Sequence, residues 1–163
     1  MLSAVWGVSD AETQLRFACD DFVEAPVLRA WRGVSVRAPS ADVRQWVAQV
    51  RVAPYSYDWL DNRGHRSPRE LLELPEAVVG EPFTASAGRP LGQIVQVDPG
   101  TSLTGGILGA YMTYLLQPHG RASTRLLLKV VMVTNPVLAH ALCIGDLVMA
   151  RRQLLNIKRL AEA

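Results

Sequence analysis

The clearest hydrophobic pattern in the chain is its last. Over residues 135–161, Leu147, Ala150, Leu154, Ile157 and Ala161 recur at spacings of three and four, which is one face of a helix. Asn135-Pro136 sets a side chain suited to the N-cap before proline at the first helical position. Arg151, Arg152, Lys158 and Arg159 place positive charge in the last three turns, as a helix C-terminus favours. A helix of about 26 residues, about 39 Å long, is predicted. Its first half, 137–149, is apolar almost all round apart from Asp146 and should be covered on more than one side. The second half should turn its basic face to solvent, with Gln153 on that wet side.

Upstream, residues 1–27 have weak periodicity and read as an irregular arm closed by Ala25-Pro26. Val34 and Val36 alternate with Ser35 and Arg37 in a first strand over 28–38, ended by Pro39. Ser40 fits an N-cap before the helical stripe Val43, Trp46, Val47 and Val50. Ser56 fits another, with Asp58 in the first turn of a second short helix. Ser67-Pro68-Arg69-Glu70 has the form of a capping box, predicting a third helix through Leu71, Leu72 and Leu74.

After Gly80 the pattern becomes that of strands, at about 82–87, 92–97, 101–104, 110–117 and 123–134. In the last, Leu126, Leu128, Val130 and Met132 share one face while Arg125 and Lys129 share the other, which predicts one buried and one wet face. Gln117-Pro118-His119-Gly120 reads as a hairpin loop, and Gly105-Gly106 and Gly109 as bends that curve the sheet. A strand, two or three short helices, a run of antiparallel strands and a long helix make an α+β fold, expected as one domain over 1–163.

Composition narrows the function classes. The chain is 49% apolar and 20% charged, which suits a packed domain and excludes disorder. A net charge of +2, with fifteen arginines and two lysines scattered among acids, gives no electrostatic case for nucleic acid. The run 99–118 holds 20 uncharged residues, the length of a membrane span, but Pro99, four glycines and Gln117 argue for two strands. The N-terminus carries Asp10 and Glu12 and no basic segment, so no signal peptide is expected, and a cytoplasmic protein is. Cys19 and Cys143 lack metal-ligand spacing and are expected as free thiols.

Three stretches carry a resemblance to a known family: 36–39 followed by Val43-Arg44-Gln45-Trp46, then 51–62 with Tyr55-Ser56-Tyr57-Asp58-Trp59-Leu60-Asp61-Asn62, then 145–155 with Gly145-Asp146-Leu147-Val148-Met149. With the strand pattern they resemble the START-like (SRPBCC) superfamily, in particular its bacterial polyketide cyclase/dehydratase-like branch. The resemblance implies a helix-grip fold, in which a curved antiparallel sheet wraps the long last helix around an apolar cavity. Members bind lipids, sterols or polyketides there, or catalyse cyclisation. Relatives usually carry an aromatic residue where Arg44 stands, so packing at that end of the first helix should differ. Such a cavity would be lined by Met112, Tyr114, Leu128, Met132, Leu142 and Met149, with Tyr55, Tyr57 and Asp58 at its mouth. The expected partner is a small, largely apolar molecule.

Two phenols and a carboxylate beside a helix start can orient a carbonyl or move a proton, which makes Asp58, Tyr55 and Tyr57 candidate catalytic residues. Equally, the rings can anchor the short helix while Asp58 serves its terminus. His65 and His119 lie in polar loops, and His140 faces either a cavity or the core. No histidines and carboxylates share metal-ligand spacing, and phosphate-loop and dinucleotide motifs are missing, so neither metal nor cofactor is expected. A binder of an apolar molecule, a cyclase/dehydratase-type enzyme and a ligand-free interaction module all remain open. Nothing in the sequence sets the oligomeric state.

Overall fold

The computed structural model describes residues 2–133 and 135–163, with the backbone alone for Leu2, Pro136, Ala139, His140, Leu142, Cys143, Ile144, Asp146 and Leu147. The expected long helix, α4 (Pro136–Ala161), begins where the sequence placed it: the Asn135 side chain accepts from the amides of Val137 and Leu138 at 2.8 and 3.1 Å. Ala150, Leu154 and Ile157 form its buried face.

The sheet is built from β1 (Leu2–Trp6), β2 (Leu28–Val36), β3 (Pro82–Ser86), β4 (Arg89–Asp98), β5 (Ser102–Ile107), β6 (Ala110–Pro118) and β7 (Thr124–Met132). In space the strands run β1-β2-β7-β6-β5-β4-β3, every pair antiparallel except β1 with β2. Register pairs Leu128 with Tyr114, and Leu126 with Leu116. These face α4 together with Val34, Val36 and Phe83 in the main core. The short helices α2 (Ser40–Ala48) and α3 (Asp58–Asp61) follow β2, and α2 adds Val43, Trp46 and Val47 to that core. The α+β helix-grip arrangement expected from the sequence is the one observed.

Residues 1–27 are not an irregular arm. They hold β1, a helical turn α1 (Asp10–Thr13) with a true capping box between Ser9 and Glu12, and a 3-10 turn at Ala18–Phe22. The physical reason is a second apolar cluster on the convex side of the sheet, where Phe17, Cys19 and Val23 cover Trp31, Leu127 and Val131. That face of β7 is therefore not wet. Lys129 is only 5% exposed, paired with Asp20 at 2.6 Å and 4.8 Å above the Trp31 ring. On the same face of β7, four residues earlier, Arg125 forms a fork with both Glu12 carboxylate oxygens at 2.6 and 3.0 Å.

The third short helix is absent too, and 65–78 is without regular structure. Its would-be cap, Ser67, is engaged elsewhere: its hydroxyl donates to Asp58 and its amide donates to the same carboxylate. Gln49 then holds the segment, accepting from the Leu72 amide and donating to the Glu70 carbonyl. At Gly105 an added Cβ would stand 2.0 Å from the Phe83 ring, so this glycine serves close packing, while the irregularity that bends the sheet lies in β4 between Ile94 and Gln96.

Candidate functional site

The residues proposed for an apolar cavity separate into two regions of the fold. On the concave face, Tyr114 and Leu128 are 1% and 2% exposed and packed in the core, while Met112, Met132 and Met149 are half-buried. Met112 and Met132 pack against the core from the end of the sheet where β7 leaves for α4. The side chains of Leu142 and His140 lie outside the described residues.

That end of the sheet shows apolar side chains to solvent. Leu108 is 97% exposed, Val133 57%, Val137 81% and Leu138 52%. They come from three segments: the β5–β6 turn, the residue after β7, and the first turn of α4. The Val133 amide donates to the Gly109 carbonyl at 3.3 Å, which sets the turn beside the strand end. Leu108 and Gly109 form the two-residue connection between paired Ile107 and Ala110, both with positive φ, +50° and +81°. Such a turn favours Asn-Gly; leucine there is both strained and unburied.

The second region is the 55–62 segment, which carries the candidate acid and phenols. Tyr55 is buried, its phenol donating to the Pro68 carbonyl at 2.7 Å and accepting from Nε2 of Gln49 at 2.6 Å. Burial raises its pKa. The Asp58 carboxylate takes both its hydrogens from Ser67, the amide at 2.9 Å and the hydroxyl at 2.6 Å. It does not act on a cap at Ser56: the N-cap of α3 is Tyr57, and the Ser56 hydroxyl donates to Asp61 instead. The Asp61 carboxyl is itself raised, first by burial.

Tyr57 is different. Its ring lies 5.6 Å beneath the Arg152 guanidinium and edge-on to Trp59, whose ring centroid is 6.4 Å away. Together with Tyr55, Ser56, Asp58 and Ser67, these rings line a cavity of about 440 Å³ whose far wall is the end of α4: Arg152, Asn156, Arg159 and Leu160. Tyr114 lines a separate cavity of about 120 Å³ between α2 and the β4–β5 hairpin.

Sequence reasoning missed Gln49, Asn62 and Asn156, which hold this region together. Gln49 is 1% exposed, and Asn62 bridges the His65 carbonyl and the Ala87 amide at 2.7 Å each. Asn156 donates to the carbonyls of Tyr55 and Ser56. An uncharged amide within an otherwise apolar stripe is a weak signal, because the same residue suits any exposed helix face. Gln153, assigned to the wet face, is half-buried and donates to the Pro54 carbonyl at 2.6 Å. Arg44, where relatives usually carry an aromatic residue, pairs with Glu76 at 3.3 Å. His65 and His119 are exposed. Among the described residues no three His, Cys, Asp or Glu side chains gather to hold a metal ion. No helix among them is long and apolar enough to cross a membrane.

No protein-family model and no curated protein matches the chain. Solved structures do. A polyketide-cyclase-like protein from Corynebacterium glutamicum, 10% identical, superposes with a TM-score of 0.50 over 81% of this chain and 90% of its own. A protein from Thermobifida fusca, 20% identical, gives 0.51 over 81% and 94%. One from Mesorhizobium loti, 13% identical, gives 0.51 over 80% and 95%. At these identities the likeness is one of fold alone: the chain shares the fold of the polyketide-cyclase-like protein and of the other two structures.

Proposed function

We propose that the protein binds a small, largely apolar molecule, lipid- or polyketide-like, between the concave sheet face and the first half of α4. One observation carries the reading: Leu108, Val133, Val137 and Leu138 present apolar surface from three segments at one end of the sheet. Just inside that end stand the half-buried, adaptable side chains of Met112 and Met132. A leucine held at φ +50° with nearly its whole side chain in water costs stability, and entry of an apolar ligand gives that cost a use. The geometry favours binding over proton transfer, because the Tyr55 phenol and the Asp58 carboxylate are both engaged with the 67–68 backbone and Ser67.

Nile red, an uncharged probe, tests this by fluorescence titration, alongside native mass spectrometry for a co-purified molecule. Saturable one-to-one binding is expected, abolished by Met132→Trp in a variant that still unfolds cooperatively. Leu108→Asn should raise the unfolding midpoint, since Asn-Gly suits the turn, and should weaken or slow uptake of the probe. Absence of saturable binding, or binding indifferent to both substitutions, overturns the proposal.

A further inference from the structure

We infer that the cavity at the C-terminal end of α4 is a second binding site, specific for a small planar anion such as an aromatic carboxylate. It is separate from the apolar site: Arg152 lies 15 residues beyond Val137, about 22 Å along the helix.

The electrostatics come first. Three guanidinium groups, those of Arg69, Arg152 and Arg159, line the cavity against one carboxylate, that of Asp58. Asp58 offsets one of the three charges at most and pairs directly with none of them, its oxygens accepting from the Ser67 amide and hydroxyl. Among the described residues, no carboxylate lies within ion-pairing distance of any of the three arginines. Arg159 donates to the Asn156 side chain only, and Arg152 has a buried Nε with no hydrogen-bond partner. A guanidinium with no carboxylate partner at a cavity wall gains a charge-assisted hydrogen bond from an anion that enters beside it.

The shape then selects the anion. A guanidinium offers parallel N–H groups that match the two oxygens of a carboxylate. The neighbouring wall is aromatic: Tyr57 lies under Arg152, and Trp59 stands edge-on to Tyr57 with 73% of its surface exposed. An exposed tryptophan beside unpaired arginines suits a ligand with a flat apolar face and a charged edge. A volume of about 440 Å³ admits a molecule of one or two fused rings. Apolar ligands lacking charge would leave Arg152 as it is, and inorganic phosphate would leave the rings uncovered.

The test is isothermal titration of the whole protein at low salt with 1-naphthoate, with its uncharged analogue 1-naphthalenemethanol, and with inorganic phosphate alone. Naphthoate should bind at one site, the alcohol at least tenfold more weakly, and phosphate should compete. Arg152→Gln and Arg69→Gln should each weaken naphthoate about tenfold or more, while Arg121→Gln, in the exposed β6–β7 loop, should not. Arg69 is exposed, so its variant reports on binding even if Arg152→Gln unfolds. Equal affinity for acid and alcohol, equal loss in Arg121→Gln, or no binding of naphthoate overturns the inference. Nile red binding is unaffected by either arginine variant, so the two sites fail or stand independently.

Discussion

The Tyr114 phenol donates to Oε1 of Gln153 at 2.6 Å, and Gln153 passes the connection on to the Pro54 carbonyl. A side chain from the middle of the sheet is thereby tied through α4 to the segment that carries Tyr55 and Asp58. Truncating Gln153 removes both of these hydrogen bonds at once. Gln153→Ala should cost about 1–3 kcal/mol, and Leu154→Ala, with its fully buried side chain, about 2–5 kcal/mol. Urea denaturation of both variants measures this; a Gln153→Ala loss below about 0.5 kcal/mol would mean that solvent replaces these bonds freely.

Asp58 fixes Ser67 with two hydrogen bonds. Asparagine keeps one acceptor oxygen and substitutes a donor for the other, so Asp58→Asn should lower stability by about 1–3 kcal/mol. Nile red affinity should stay unchanged. A variant that keeps its fold and loses the probe would place the carboxylate in contact with the ligand.

Lys129 and Asp20 behave asymmetrically. The lysine is 5% exposed between Trp31 and Phe17, while a third of the Asp20 side chain reaches solvent. Asp20→Asn strands a cation in an apolar setting and should cost up to about 3 kcal/mol. Lys129→Met keeps the apolar stem, leaves Asp20 to water, and should cost less than about 1 kcal/mol. The reverse order in thermal or urea unfolding would show that the aromatic rings alone suffice for the lysine.

The hydrogen bond from Arg125 pulls the Glu12 pKa from 4.5 down to about 2. A depressed carboxylate stabilises the folded chain above the unfolded value and loses that contribution as pH falls through the folded one. Glu12→Gln should therefore lower the unfolding midpoint at pH 7, and its deficit should shrink between pH 4.5 and 2. A deficit constant across that range would trace the effect to packing instead of charge.

Legibility in the sequence followed periodicity. The bounds of α4 could be read to the residue from local signals, Asn135-Pro136 and the Ala150, Leu154 and Ile157 face. The cover expected over its first half is missing at Val137, Leu138 and Val148, which stand exposed. β7 was plain from the alternation of Leu126, Leu128, Val130 and Met132. Ser67-Pro68-Arg69-Glu70 looked helical because a capping box is also local; Asp58, nine residues away, outbid the helix for the serine. Lys129 looked solvent-facing because nothing in β7 announces Phe17 and Cys19 covering it. The arginine-lined cavity was hidden for a similar reason. Arg152 and Arg159 suit a helix C-terminus on their own, and only the fold brings Arg69, Tyr57 and Trp59 opposite them.

The convex layer also has a history in time. Phe17 and Cys19 leave the ribosome long before β7, the strand they cover, so their burial waits on residues 124–132. During synthesis the apolar side chains of Phe17, Cys19 and Val23 are without their counterpart, and a chaperone or a neighbouring chain can meet them first. Cys19 records the moment of closure, since burial in the finished fold pushes its thiol up to about 11. In nascent chains carrying Cys143→Ser, an alkylating reagent at pH 8 is expected to label Cys19 in every chain arrested before Thr124. It should spare Cys19 once β7 and α4 are free to pack, and protection in the shorter chains would mean that the N-terminal layer closes on something other than β7.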